Sequence, residues 1–191
     1  MALEQTAIDP VDVILQLFRQ RGSSEYGGEA VNQEEHALQA AASAQAEGAD
    51  DSLVAAALLH DIGHMLHDLP DDAPEEGIDD HHENSGARFV AEHFGPEVAE
   101  PVRLHVAAKR YLTAVEPDYM AKLSEPSVTS LMLQGGPMSA AEQEEFRRNP
   151  HWEAAVRLRR YDELAKVPGL KTPSVADFVP LLGRLVRRDR A

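Results

Sequence analysis

The residues best suited to chemistry in this chain are histidines and carboxylates that recur at wide intervals. His60 and Asp61 are adjacent at the end of the apolar run VAAALL, where an unpaired carboxylate is strongly disfavoured unless a metal or another cation meets it. His36 precedes this pair, and His82 and His105 follow it. Because the chain has no cysteine, thiolate sites are excluded, and His with Asp suits iron, manganese or zinc. We expect a metal site of nitrogen and oxygen ligands.

Helices must position these side chains, because helix start and stop signals recur and strand alternation is absent. Asp9 with Pro10 is typical of a helix start, and Asn32 with Glu35 resembles a capping box. We predict helices at 10–22, 32–48, 51–66, 82–94 and 96–112, and shorter ones within 124–136, 139–148, 151–166 and 174–188. Residues 69–80 form a proline-rich acidic loop. The expected architecture is all-α, a single domain over residues 1–191, with ligands on successive helices.

Composition limits the partners and the location. The 18 Lys and Arg against 33 Asp and Glu give a formal charge of −15, which disfavours non-specific binding to nucleic acid or anionic lipid. The N-terminal residues show no signal-peptide pattern, and no apolar stretch reaches the ~20 residues of a bilayer span. We therefore expect a cytoplasmic protein without membrane or nucleic-acid partners. The oligomeric state is left open.

The stretch LLHDIGH resembles the signature of the HD-domain superfamily of helical metalloproteins. The remaining matches follow in the family's order, namely His36, His82 in HENSGA, His105, and Asp162 in RRYDELAK. The family pattern places the ligand directly before a glutamate, so we choose His82 and keep its neighbour His81 as the alternative. His64, four residues after His60, suits either support of a ligand or ligation.

Most members of that superfamily are phosphohydrolases, so hydrolysis of a nucleotide or phosphoester is one expectation. The stretches EYGGEAVNQEEHALQAA, HVAAKRYLT, SLMLQGGPMS and LRRYDELAK instead resemble a small branch of HD oxygenases that cleave the C–P bond of 1-hydroxyphosphonates. This resemblance spans roughly residues 9 to 180. It implies two irons, working as a mixed-valent Fe(II)/Fe(III) pair with O2 as cosubstrate. A third possibility is a regulatory HD module with a structural metal and no turnover.

The oxygenase resemblance also implies a role for each ligand. His36, His60 and Asp162 would bind one iron, His82 and His105 would bind the other, and Asp61 would bridge them. The residues expected to be catalytic are His60, Asp61 and Lys109.

The same resemblance assigns substrate-binding residues. A lid at about residues 23–30 would carry Tyr26, which can occupy an iron position, and Glu29, which stays near a substrate ammonium. An ordinary glycine turn between two helices is the other interpretation of this segment. Lys109 lies one helical turn after His105 and would attract the phosphonate. Ser127 and Gln134 match the positions that hydrogen-bond the phosphonate.

The implied substrates are (R)-1-hydroxy-2-(trimethylammonio)ethylphosphonate and (R)-1-hydroxy-2-aminoethylphosphonate. The products would be phosphate with glycine betaine or with glycine. We favour the trimethylated substrate, because Gly27 would leave space for N-methyl groups beside Glu29, and Tyr26 offers an aromatic face to a quaternary ammonium.

Overall fold

The computed structural model describes residues 9–67 and 80–187, and its described part is helical with no strand. The α-helices are α1 (Pro10–Arg21), α2 (Gln33–Ala46), α3 (Asp51–Leu59), α4 (His82–His93), α5 (Pro96–Val115), α6 (Glu125–Leu133), α7 (Ala140–Arg148), α8 (Trp152–Leu164) and α9 (Val179–Leu185). Short 3-10 segments occupy Ile62–Leu66, Met120–Lys122 and Val175–Phe178. The predicted all-α fold is confirmed. Of the predicted acidic loop, residues 69–79 lie outside the described residues.

Side-chain caps explain where several helices start. The Asp9 carboxylate accepts from the backbone N–H of Val11 at 2.9 Å, with Pro10 as the first residue of α1. Asn32 and Glu35 each accept from the other's backbone N–H, which completes the predicted capping box of α2. Such caps satisfy N–H groups that have no partner inside the helix.

The predicted helix over 51–66 is wrong in its last two turns. α3 ends at Leu59, and Asp61 leaves the helical conformation with φ −103° and ψ 13° before the 3-10 segment Ile62–Leu66. This segment runs against the start of α4, where a Cβ on Gly63 would lie 2.0 Å from the carbonyl oxygen of His82. Only glycine allows this close approach. The break therefore turns Asp61 away from the helix and brings His82 close to it.

The core is formed mainly by α2, α3, α5 and α8. α5 packs against α8 and α4, while α2 packs against α3 and α8. In α3 the small residues Ala55, Ala56 and Ala57 are fully buried, so neighbouring helices can approach it closely. Among the described residues, no helix combines the length and the apolar character needed to cross a membrane.

Candidate metal centre

The structure brings together the six predicted ligands, all of them buried. They come from the interior of α2, the end of α3, the start of α4, the interior of α5 and the end of α8: His36, His60 with Asp61, His82, His105 and Asp162.

Two histidines and two carboxylates form one half of the centre. Nε2 of His36 lies 3.0 Å from Nε2 of His60. Oδ2 of Asp61 lies 3.5 Å from the first of these nitrogens and 3.2 Å from the second. Oδ1 of Asp162 lies 3.5 Å from Nε2 of His36. Four donor atoms therefore surround one point.

A second pair of histidines forms the other half. Nε2 of His82 lies 3.1 Å from Nε2 of His105. Oδ1 of Asp61 lies 3.4 Å from the former and 3.3 Å from the latter. The two oxygens of Asp61 thus face different histidine pairs, which is the arrangement that a carboxylate bridging two cations requires.

The opposite ring nitrogens set how each histidine is presented. Each Nδ1 lies 2.7–2.9 Å from an oxygen that can only accept a hydrogen bond. Three of these oxygens are backbone carbonyls, and one belongs to a carboxylate: Ala165 O for His36, Ala57 O for His60, Val102 O for His105 and Asp80 Oδ1 for His82. Each Nδ1 therefore carries the hydrogen, and each Nε2 offers its lone pair to the centre.

The donor set fits metal ions. Facing ring nitrogens 3.0 Å apart need a proton or a metal cation between them, and two ligands bound at right angles at about 2.1 Å would be about 3.0 Å apart. Oδ1 of Asp61 and Oδ1 of Asp162 are buried and make no hydrogen bond of good geometry. Imidazole and carboxylate donors without thiolate suit iron.

Electrostatics also favour positive charge in this centre. Burial lowers the pKa of His36, but hydrogen bonds and charge from Asp162 and Asp61 outweigh it and raise the pKa to about 9. Burial raises the pKa of Asp61, but the charge of His60 and hydrogen bonds from the histidines hold it well below its usual value. The carboxylate stays ionised, and the protonated position at His36 is the one a metal would take.

The choice between the adjacent histidines His81 and His82 follows from their placement. The His82 side chain is buried in the centre, whereas the His81 side chain is 67% exposed and its backbone is left-handed, with φ 50°. The geometry favours His82 as the ligand.

Two supporting groups were not found from the sequence. Asp80 accepts from Nδ1 of His82 and lies 2.7 Å from Nδ1 of His64, whose ring stacks on that of His82. Arg159 donates to Oδ2 of Asp162 and is itself buried. Asp80 precedes His82 by two residues, and Arg159 precedes Asp162 by three. These short spacings were the only sequence signal that could have indicated the two groups. The ligand atoms of His64, His82 and Asp61 lie within 4.8 Å of one another, so this geometry allows His64 to ligate as well as to support His82 through Asp80.

The predicted lid covers the first histidine pair. The ring of Tyr26 stacks on His36, and its hydroxyl faces Asp61; burial followed by the charge of Asp61 raises the pKa of Tyr26 well above its usual value. Gly27 has φ +48°, and no heavy atom lies within 4 Å of where its Cβ would be. Its positive φ, and not a close neighbour, therefore accounts for glycine there.

The three predicted phosphonate residues contact different partners and do not form one row. Nζ of Lys109 donates to Oγ of Ser130 at 2.8 Å, and Oγ of Ser127 lies 2.8 Å from Nζ of Lys166. Gln134 caps the C-terminus of α6 instead of continuing its face, and its Oε1 is buried without a hydrogen-bond partner. Burial, then the charge of Arg159, lowers the pKa of Lys109 to about 7.

Comparison with known proteins assigns the family. Residues 34–137 match the model of the HD domain. The chain belongs to the HD-domain family. This HD-domain protein is 41% identical over 176 residues, 92% of its length and 90% of the relative's, to [1-hydroxy-2-(trimethylamino)ethyl]phosphonate dioxygenase (glycine-betaine-forming) of Leisingera caerulea. It is 45% identical over 179 residues, 93% and 89% of the two lengths, to hydroxymethylphosphonate dioxygenase of Gimesia maris. The predicted resemblance is confirmed.

Proposed function

We propose that this protein is a non-haem diiron oxygenase of phosphonate catabolism, which uses O2 to cleave the C–P bond of a 1-hydroxyphosphonate. The observation that carries the proposal is Asp61, whose two oxygens face two separate histidine pairs. The names of the two relatives, both dioxygenases of phosphonates, support the same chemistry. No observation favours the hydrolase or the regulatory module.

The overall reaction balances with one O2 per substrate. The C–P bond breaks, the C1 carbon is oxidised to a carboxylic acid, dioxygen is reduced, and the phosphorus leaves as phosphate. Two bound irons, cycling between Fe(II) and Fe(III), would supply the redox chemistry.

The protein's own part begins with holding the metals. We assign His36, His60 and Asp162 to one iron and His82 with His105 to the other. Asp61 would hold both irons, one through each carboxylate oxygen, and would partly neutralise their charge. Arg159 holds Asp162 by its Oδ2, which leaves Oδ1 free for the metal. This fixed geometry keeps the ligands oriented throughout turnover.

The phosphonate is bound by cationic and polar groups. A phosphonate carries up to two negative charges, and in a chain of formal charge −15 it needs a local cation. Lys109, buried one turn after His105, supplies this cation, and Ser127 and Gln134 supply hydrogen bonds. The overall acidity also supports a small-molecule partner over nucleic acid.

The head group is bound by the lid. We propose that Glu29 pairs with a substrate ammonium and that Tyr26 gives way to substrate oxygen while packing beside the head. The trimethylammonio substrate, which would give glycine betaine, is our first candidate, and the name of the Leisingera caerulea relative supports it. The primary amine, giving glycine, is the second.

The test is phosphate release from the iron-loaded enzyme with and without O2. We expect one phosphate per O2 consumed from the trimethylammonio substrate and no release under strict anaerobiosis. Oxygen-independent phosphate release from a phosphoester would support hydrolysis instead. EPR after brief exposure to oxygen tests the mixed-valent pair, since its absence in active enzyme would contradict that oxidation state.

A further inference from the structure

Lys166, which the sequence analysis did not name, contacts both the predicted lid and a proposed phosphonate-binding residue. Its Nζ lies 3.0 Å from Oε1 of Glu29 and 2.8 Å from Oγ of Ser127. It also lies 3.1 Å from Oε1 of Glu163. The carboxylate of Glu29 is therefore paired with a lysine that follows the end of α8.

The position of Lys166 is held from both sides. The carbonyl of Ala165 accepts from His36, and the backbone N–H and C=O of Val167 both bond to the side chain of Gln39, at 3.0 and 2.9 Å. The residues before and after Lys166 are thus tied to α2. These contacts hold the backbone around Lys166, and its side chain is largely buried.

The pair between Lys166 and Glu29 is nearly buried, with side chains 13% and 14% exposed. The hydroxyl of Ser124 is the other hydrogen-bond partner of this carboxylate. A charge pair at this burial is poorly screened by salt. The negative charge of Glu29 is therefore compensated before any substrate ammonium arrives.

We propose that Lys166 sets the head-group selectivity of the enzyme by neutralising Glu29; this inference rests on the proposed function. With the pair intact, a substrate that lacks a cationic head leaves no unpaired carboxylate in the lid. A trimethylammonium head must instead share Glu29 with Lys166. Lys166 is thus a positioning residue that admits small, uncharged head groups at the expense of cationic ones.

The direction of the effect follows from charge. Without Lys166, Glu29 is an unpaired carboxylate, which attracts a trimethylammonium head and repels the dianion of hydroxymethylphosphonate, whose head is a hydrogen atom. Without the charge of Glu29, Lys166 keeps Glu163 as its carboxylate partner, but its positive charge is less compensated and both preferences reverse. The two single variants should therefore shift selectivity in opposite directions.

The experiment compares kcat and KM for 1-hydroxy-2-(trimethylammonio)ethylphosphonate and hydroxymethylphosphonate in wild type, Lys166→Met, Lys166→Arg and Glu29→Gln. We expect Lys166→Met to raise the ratio of kcat/KM values toward the trimethylated substrate by about tenfold, mainly through KM. Glu29→Gln should lower this ratio, and Lys166→Arg should resemble wild type. Anaerobic Kd values for both compounds should follow the same order. Lys171→Met, at an exposed lysine, is the matched control.

A double-variant cycle tests whether Lys166 acts through Glu29. In a Glu29→Gln background, Lys166→Met removes the remaining ammonium, so the ratio should return to about the wild-type value instead of exceeding it as in Lys166→Met alone. Equal losses for both substrates in Lys166→Met would overturn the inference and make Lys166 a phosphonate ligand. A lower Tm with an unchanged ratio would also overturn it.

If Lys166→Met does not fold, Glu29→Gln alone tests the inference. The inference then requires that this variant lowers the ratio of kcat/KM values. Wild type inactive on both substrates and on 1-hydroxy-2-aminoethylphosphonate would refute the proposed function, whereas active wild type with invariant ratios refutes only this inference.

Discussion

The ring of Tyr26 stacks on the ring of His36, with 3.8 Å between the centroids and 17° between the planes. This contact places a lid residue directly over a proposed iron ligand. The stacked ring covers one face of the His36 imidazole. This contact lets the predicted lid shield one side of the candidate centre.

Removal of the Tyr26 ring should expose the metal. We expect Tyr26→Ala to lose iron to a chelator several-fold faster than wild type, because water and chelator reach His36 directly. Tyr26→Phe keeps the ring and should lose iron at nearly the wild-type rate. The measurement is the time course of a coloured iron–chelator complex. Equal rates for the Ala and Phe variants would show that the ring does not shield the site.

The adjacent histidines should differ in metal content. His82→Ala should reduce bound iron from about two to about one atom per chain, because one histidine pair loses half its donors. His81→Ala should keep about two, since its side chain is largely exposed. Elemental analysis of anaerobically reconstituted protein measures both. Loss of iron in His81→Ala alone would reverse the assignment.

The contact between Gly63 and His82 should make Gly63 intolerant of any side chain. Gly63→Ala places a Cβ 2.0 Å from a backbone oxygen, and we expect a loss of about 2–3 kcal/mol in the free energy of unfolding. Gly183→Ala in α9 is the control, because no atom lies within 4 Å of its Cβ position. It should be neutral or gain about 0.5–1 kcal/mol. Denaturant titration tests both, and a neutral Gly63→Ala would contradict the packing argument.

The activity should depend on the protonation of Lys109. Burial lowers its pKa to about 7, so its ammonium is present below that pH and is lost as the pH rises through it. Arginine stays charged. The ratio of kcat/KM in wild type to that in Lys109→Arg should therefore fall between about pH 6 and pH 9. Taking this ratio cancels the substrate's own ionisation. A ratio independent of pH would show that Lys109 does not supply the charge that binds phosphonate.

Local signals predicted the helices well where a cap or a proline defines the start. Asp9 and Asn32 cap their helices as the sequence indicated. The helix predicted across His60 was too long. Helical periodicity continues in the sequence beyond Leu59, but the backbone at Asp61 is not helical and a 3-10 segment follows. Within the predicted helix 174–188, Ser174 and Asp177 form a capping box, yet this box opens a 3-10 segment before α9. A local hydrogen bond specifies a turn but not how long a helix continues.

The ligand types and their order were readable from the sequence, since each lies in a recognisable motif. The choice of His82 over His81 rested on a motif, and the fold adds the reason: the left-handed backbone at His81 turns one side chain to solvent and the next to Asp61.

The sequence by itself determined a helical HD domain and pointed to six candidate nitrogen and oxygen ligands, because motifs and caps act over a few residues. Only the tertiary structure decided which oxygen of Asp61 faces which histidine pair, which carbonyls orient the rings, and that Lys166 meets Glu29. These contacts join residues as far as 137 positions apart and depend on how α2, α5 and α8 pack. No local pattern encodes a partner that only packing brings within reach.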